Sequence, residues 1–297
     1  MEPDAPMILE APLPPKSSAF KRFWRVFLAR KIVVAGVSVL AMLLVLAVFA
    51  PLFAPYNPIA QNLQDSLQPP SREHLLGTDI LGRDVLSRII YGTQVSLSVG
   101  LVSVVIAGSV GMFLGLLAGA FGGWVDIVIM RCMDVMMSLP LIIMALFIGS
   151  VLGKGLGNVM LAVGIAMMPS YARLTRGQVK SIKQLDYVIA STVSGSSKMK
   201  SIFVHILPNS LSPNIVLMTM NLGSAILIEA ALSFLGLGIS PPMASWGSMV
   251  ADGYTRLRVL PLLSIAPGTI IMLTVLAFNI VGDSLRDTLD PRLRGAL

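Results

Sequence analysis

From Ile89 to Val125 the chain runs 37 residues without a single Asp, Glu, Lys, Arg or His. A water-soluble fold has no use for a run of that length, whereas about 20 apolar helical residues cross a bilayer core. The run is also too long for one helix, and Gly119, Gly122 and Gly123 mark where a helix should end. Composition agrees with a membrane protein. Of the 297 residues, 55% are hydrophobic and 12% charged, against about a quarter charged in soluble domains.

Six apolar spans follow from the same reasoning: Ile32 to Phe53, Val95 to Gly119, Val135 to Leu152, Leu156 to Ala172, Leu211 to Gly236 and Val259 to Gly282. The predicted fold class is all-α, a polytopic bundle of six membrane helices. Orientation follows from the cations. With the N-terminus in the cytoplasm, 16 of the 22 lysines and arginines lie inside, six outside. Both termini are then cytoplasmic. No small-residue cleavage site follows the first apolar run, so it is expected to remain as an anchor.

The chain divides accordingly. Residues 1–31 form a cytoplasmic tail, and 32–94 the first span with an external segment. Residues 95–283 form the bundle core, with a cytoplasmic loop at 173–210, and 284–297 a second tail. In the first tail, Pro12 to Pro15 reads as disordered. Phe20, Phe23, Trp24 and Phe27 then recur at helical spacing between Lys21, Arg22 and Arg25. They predict either a helix on the inner membrane surface or an extension of the first span.

Several chemistries find no residues to carry them. One cysteine, Cys132, and two distant histidines, His74 and His205, give no disulfide and no zinc motif. The net charge of +7 comes without basic patches interleaved with aromatics, so a nucleic-acid partner is not expected. GSVLGKG at Gly149 to Gly155 is one residue short of a phosphate loop, and no Ser or Thr follows its lysine. No catalytic set and no metal site is expected.

Two features inside the spans leave a choice. Ala107, Gly111, Gly115 and Gly119 form a small-residue stripe, for packing within the bundle or against another subunit. Glu229 is the one charge deep in a span. It is either a proton-coupling acid or a packed or pathway-facing group, and Asn221 is the other candidate for the pathway.

DYVIASTVSGSSKMKSIFVHILPN, Asp186 to Asn209, carries the functional reading. Leu185, Val188, Ile189 and Thr192 follow an i, i+3, i+4, i+7 pattern, and so do Met199, Ile202, Phe203 and Ile206. Gly195 suits a helix C-terminus and Ser196 or Ser197 the next N-cap. Pro208 should stop the second helix or begin the next span. Two short amphipathic helices with a bend between them need a groove. It is supplied by the chain's own bundle, by the lipid surface or by another protein.

The run from Gly195 through Ile202, Phe203, His205, Ile206, Leu207, Pro208 and Asn209 resembles the coupling loop of bacterial ABC importer permeases. HLLGTDILGRDVLSRIIYG (His74 to Gly92), EAALSFLGLG (Glu229 to Gly238) with Pro241, Pro242 and Trp246, and FNIVGDSLRDTLDPRLR (Phe278 to Arg294) are similar to the C-type permeases of dipeptide, oligopeptide and nickel importers. The likeness covers residues 20–294. It departs from the usual EAA opening, where Ile189, Ala190 and Ser191 leave the glutamate missing.

The resemblance implies the type I ABC permease fold in a bacterial cytoplasmic membrane. The implied partners are a homologous permease, two ATPase subunits and an external substrate-binding protein. The cofactors ATP and Mg are then held by the ATPases, none by this chain. It implies ATPase contacts at Asp186, Tyr187, Ala190, Ser191, Gly195, Met199, Ile202 and Phe203. It also implies docking of the binding protein through Asp79, Arg83, Asp84 and Trp246. Asp79 with Arg83, and Asp84 with Arg88, sit four apart as on a short ion-paired surface helix, and Arg286 and Asp290 are a further expected pair. The substrate is expected to be a dipeptide or longer peptide, alternatively a nickel chelate or other small solute. A self-sufficient secondary transporter and a membrane enzyme are the competing classes.

Overall fold

The computed structural model describes residues 30–289 together with Trp24, Phe27 and Leu28. Among them, helix is the regular structure throughout, apart from one isolated antiparallel bridge between Thr78 and Asp84. The Phe20 and Phe23 part of the expected tail helix, and Asp290 of the expected C-terminal pair, lie outside the described residues.

Helix α1 (Lys31–Val48) and a further turn, Ala50–Phe53, form the first expected span. A largely irregular segment, expected to lie outside, leads to Asp84, whose carboxylate accepts from the Ser87 backbone N–H at 2.7 Å and caps α2 (Val85–Phe121). The expectation that this region exceeds one helix is corrected here. α2 is one unbroken helix of 37 residues. At 1.5 Å per residue it is about 55 Å long, roughly twice the hydrocarbon core. Val85 and Ile89 in its first turns pack with Leu67 and Leu76 of the preceding segment, and no proline interrupts it.

The third expected span breaks instead. α3 (Gly123–Met137) and α4 (Leu141–Leu152) meet at an angle of 96°. Pro140 stands at the break with ψ 139°, and a proline lacks the N–H a continuing helix needs and disfavours helix at the residue before it. α5 (Leu156–Ile182) outruns its expected end at Ala172 by ten residues. After α6 (Asp186–Val193) and α7 (Lys198–Ser201), a π turn at Ile202–Ile206 runs straight into α8 (Leu207–Phe234). Pro208 sits in the first turn of α8, directly after the π turn. α9 (Trp246–Tyr254) and α10 (Leu262–Leu289) complete the chain as described.

The small-residue stripe packs inside the chain. A Cβ on Gly111 would lie 2.6 Å from the Met168 carbonyl oxygen, and one on Gly115 2.3 Å from that of Ala172. One on Gly119 would meet the Val179 Cβ at 2.7 Å. The missing side chains let α2 and α5 lie backbone to backbone. The main core then forms between α2, α4, α5 and α8, around Val99, Ala145, Val163, Tyr171 and Leu232.

Four stretches are long and apolar enough to cross a membrane: α1, α2, the run Lys198–Phe234, and α10. The bent α3–α4 pair makes a fifth if it counts as one span, and α5 is not in the set. Large apolar side chains stay exposed along these helices, among them Leu44, Val48, Leu101, Phe113, Phe147 and Met272. A soluble protein avoids such a surface, and lipid accepts it.

Candidate functional site

The Asp186 to Asn209 stretch adopts the expected bent pair. α6 ends in a Schellman turn. The Ser196 N–H donates to the Ser191 carbonyl at 3.1 Å and the Gly195 N–H to that of Thr192 at 3.1 Å. Gly195 takes φ +87°, a region open to glycine. Ser197 then caps α7 by accepting from the Lys200 N–H at 3.3 Å.

The pair is anchored on one face. Val188, Ile202 and Ile206 are buried with Leu116, Val179 and Ile182 at one end of the bundle. Asn209 Nδ2 donates to the Tyr187 hydroxyl at 3.2 Å and to the His205 carbonyl at 2.6 Å, fixing α6 to the start of α8. The opposite face keeps Tyr187, Ile189, Met199, Phe203 and Val204 about half exposed, and Val193 82% exposed. Asp186, Ala190 and Gly195 are exposed as well, and Ser191 is half-buried.

Ile202 differs from the other expected contacts in lying within the buried cluster. Val193 lies four residues after Ile189, on the same side of α6, and is not among the expected contacts.

The outer segment is also corrected. Asp79, Arg83, Asp84 and Arg88 are buried, and residues 79–83 form a loop and not a surface helix. Asp79 accepts from the backbone N–H of Leu81 at 2.8 Å and of Arg83 at 3.0 Å, and from Arg83 Nε at 2.6 Å. Arg88 Nε also approaches Asp79, at 3.4 Å. Asp84 turns away from Arg88 to Ser87 and to His74 Nδ1 at 2.9 Å. Four-residue spacing brings Asp79 to Arg83 because the loop closes on itself, which periodicity alone reads as a helix.

Trp246 is fully buried. Its indole N–H donates to the Ile89 carbonyl at 3.1 Å, and its backbone N–H to Ser96 Oγ at 3.1 Å. It pins α9 to α2. All four of these side chains are buried in this chain, where they tie its own segments together.

Glu229 is fully enclosed on α8. Its Oε1 accepts from Ser233 Oγ at 2.8 Å, while Oε2 has no hydrogen-bond partner. Asn221 is half-buried and donates from Nδ2 to the Tyr171 hydroxyl at 3.0 Å. The two are not brought together.

An ion network joining α3 to α5 was not foreseen. Asp126 accepts from Arg176 Nε, from Arg176 Nη2 at 2.7 Å and from Lys180 Nζ at 2.8 Å. Asp134 accepts from Arg173 at 2.7 Å. The partners are 50, 54 and 39 residues apart, beyond the reach of any local pattern.

The bent helix pair thus turns an exposed apolar face away from the bundle. The chain belongs to a family whose members build membrane components for substrate delivery by a separate binding protein. Residues 111–295 match the family described as binding-protein-dependent transport system inner membrane component. Residues 18–70 match the N-terminal TM domain of oligopeptide transport permease C.

The chain is similar to the glutathione transport system permease protein GsiD of Pectobacterium atrosepticum, 42% identical over 93% of this chain and 92% of that one. It is 44% identical to the di/tripeptide transport system permease protein DppC of Pseudomonas aeruginosa, over 94% of each. It is 38% identical to the oligopeptide transport system permease protein OppC of Bacillus subtilis, over 90% and 88%. The family makes this an integral inner-membrane permease subunit of an ABC importer and not an enzyme.

Proposed function

We propose that this chain is one membrane half of a peptide importer. It pairs with a homologous permease, rests on two ATPase subunits and receives substrate from an external binding protein. In this reading the chain crosses six times, with α5 and the α3–α4 pair among the crossings and both termini cytoplasmic. Dipeptides are the first choice of substrate. Relatives named for di/tripeptides, oligopeptides and glutathione support a peptide class.

The observation that carries this reading is the two-faced helix pair. One face is packed into the bundle through Val188, Ile202 and Ile206, and the other shows Tyr187, Ile189, Val193, Met199 and Phe203. A helix pair anchored to the membrane helices and apolar on its free face fits a groove in another protein. ATP and Mg act in the partner. When the ATPases close, the pair is pushed as a unit, and the π turn into α8 carries the push to the spans. The bundle then passes between two packed arrangements, open to one side or the other.

Phe203→Asp tests this contact. It puts a charge where an apolar groove is expected, while the residue is exposed enough in this chain to leave the fold intact. The ATPase subunits should be lost when the complex is affinity-purified through this chain. Co-purification in full yield would remove Phe203 from the contact.

A further inference from the structure

Where α3 lies against the C-terminal part of α5, an open cavity of about 300 Å³ is lined by Arg131, Arg173 and Arg176 with Asp126 and Asp134. Ile127 and Met130 complete its wall. Ligand sites begin at about this size.

Cations outnumber carboxylates here. Asp126 accepts from two nitrogens of Arg176 and from Lys180 Nζ at 2.8 Å, and Asp134 accepts from Arg173 Nη2 at 2.7 Å. Arg131 comes no nearer to Asp134 than 4.0 Å and keeps 81% of its side chain exposed. Four cations thus share two carboxylates. A guanidinium carries five N–H donors, and Arg173 gives Asp134 a single nitrogen. The exposed arginines keep donors for an anion, while both carboxylates are already taken by cations.

The surroundings define the kind of anion. Arg176 lies beside the last turn of α2: a Cβ on Gly119 would sit 3.1 Å from the Arg176 carbonyl oxygen. The cavity is therefore level with the end of a membrane helix, where hydrocarbon gives way to headgroups. On α3, Trp124, Val128, Arg131 and Val135 follow one another at spacings of four, three and four and share one side. All four are exposed. Tryptophan favours the headgroup boundary. An anion carried on acyl chains uses both the cations and this apolar strip, whereas a free anion uses the cations alone.

We propose that the cavity binds the headgroup of an anionic phospholipid, its phosphodiester on Arg131 and Arg173 and its acyl chains along Val128 and Val135. A zwitterionic lipid fits less well, because its ammonium meets carboxylates that are already paired. The bound lipid bridges α3 to α5 and offsets the repulsion among the four cations. It does so whatever solute the importer carries.

The test uses the complete complex in detergent micelles with a photoactivatable phosphatidylglycerol, its adducts on this chain mapped by mass spectrometry. Adducts should concentrate on residues 124–135. Unlabelled phosphatidylglycerol should displace the probe, and a large excess of inorganic phosphate should not. A phosphatidylcholine with the same photoactivatable group should label this stretch about fivefold less, the effect of one surface cation. Arg131→Gln and Arg173→Gln should each lower the phosphatidylglycerol labelling about fivefold, and Arg131→Lys should restore most of it. Arg131→Gln removes a side chain whose one ion contact is the 4.0 Å approach to Asp134, and the thermal midpoint of the complex checks that it stays folded.

Equal labelling by the two lipid probes overturns the preference for an anionic headgroup. Displacement by inorganic phosphate makes this a free-anion site and overturns the lipid. Unchanged labelling in folded Arg131→Gln and Arg173→Gln complexes, or adducts that avoid residues 124–135, overturns the cavity as the binding site.

Discussion

Gly195 shows how one residue sets a functional geometry without touching anything. A Cβ built there meets no atom within 4 Å, so no packing argument applies to it. Its φ of +87° is the whole constraint. An L-residue pays about 1–2 kcal/mol there, and proline, locked near −65°, cannot adopt it. The expected order of coupling efficiency is therefore glycine, then Gly195→Asn, then Gly195→Ala, with Gly195→Pro last. Asparagine ranks above alanine because it tolerates the left-handed region. The measurement is the ratio of peptide uptake to ATP hydrolysis in vesicles holding the full complex, with membrane abundance of the chain as control. Gly195→Pro should reach the membrane and hydrolyse ATP without transport; wild-type uptake by that variant would end the hinge role. Here the sequence was readable. A glycine followed by serines between two apolar-periodic runs is a local signal, and the turn it predicts is made by residues within five positions of one another.

At the scale of elements, the α2–α5 contact depends on what is missing from it. Gly115 and Gly177 offer a clean comparison. A Cβ at Gly115 falls 2.3 Å from the Ala172 carbonyl oxygen, whereas one at Gly177 meets nothing within 4 Å. Gly115→Ala must push two backbones apart, at about 1–3 kcal/mol. Gly177→Ala adds helix propensity, worth about 1 kcal/mol in the other direction. Thermal unfolding of the detergent-solubilised complex should show a lower midpoint for the first and an equal or higher one for the second. A shift of the same sign in both would mean the stripe does not set this contact. Element ends were less legible than this pairing, for a physical reason. The N-terminus of α2 is set by Asp84, which also had an equally spaced arginine to pair with at Arg88 and took Ser87 and His74 instead. The α3–α4 break turns on Pro140 inside an apolar run that periodicity reads as continuous. The Asp126–Arg176–Lys180 network needed the third dimension altogether.

For the whole molecule the number of bilayer crossings turns on the α3–α4 pair and on α5, and α5 can be tested by itself. Its apolar portion, Leu156 to Ala172, spans about 26 Å of helix, slightly less than the hydrocarbon core of about 30 Å. Its other end carries Arg173, Arg176 and Lys180, which hold α3 through Asp126 and Asp134. Those cations extend the helix into the headgroup region, where arginine and lysine are at home. All 27 residues together reach about 40 Å, enough to cross with a charged end in the interface. If α5 crosses, residue 154 before it and residue 197 after it lie on opposite sides of the membrane. If α5 stays on one side, they lie on the same side. In a Cys132→Ser background, which removes the one native thiol, single cysteines at Lys154→Cys and Ser197→Cys report this directly. A membrane-impermeant maleimide applied to intact spheroplasts should label position 154 and spare position 197, and inverted vesicles should reverse the pattern. Labelling of both positions from the same side would remove α5 from the spans. The bent helix pair and the 154–155 turn would then share one face of the membrane, and a push on α6 and α7 would have no path through α5 to the opposite face.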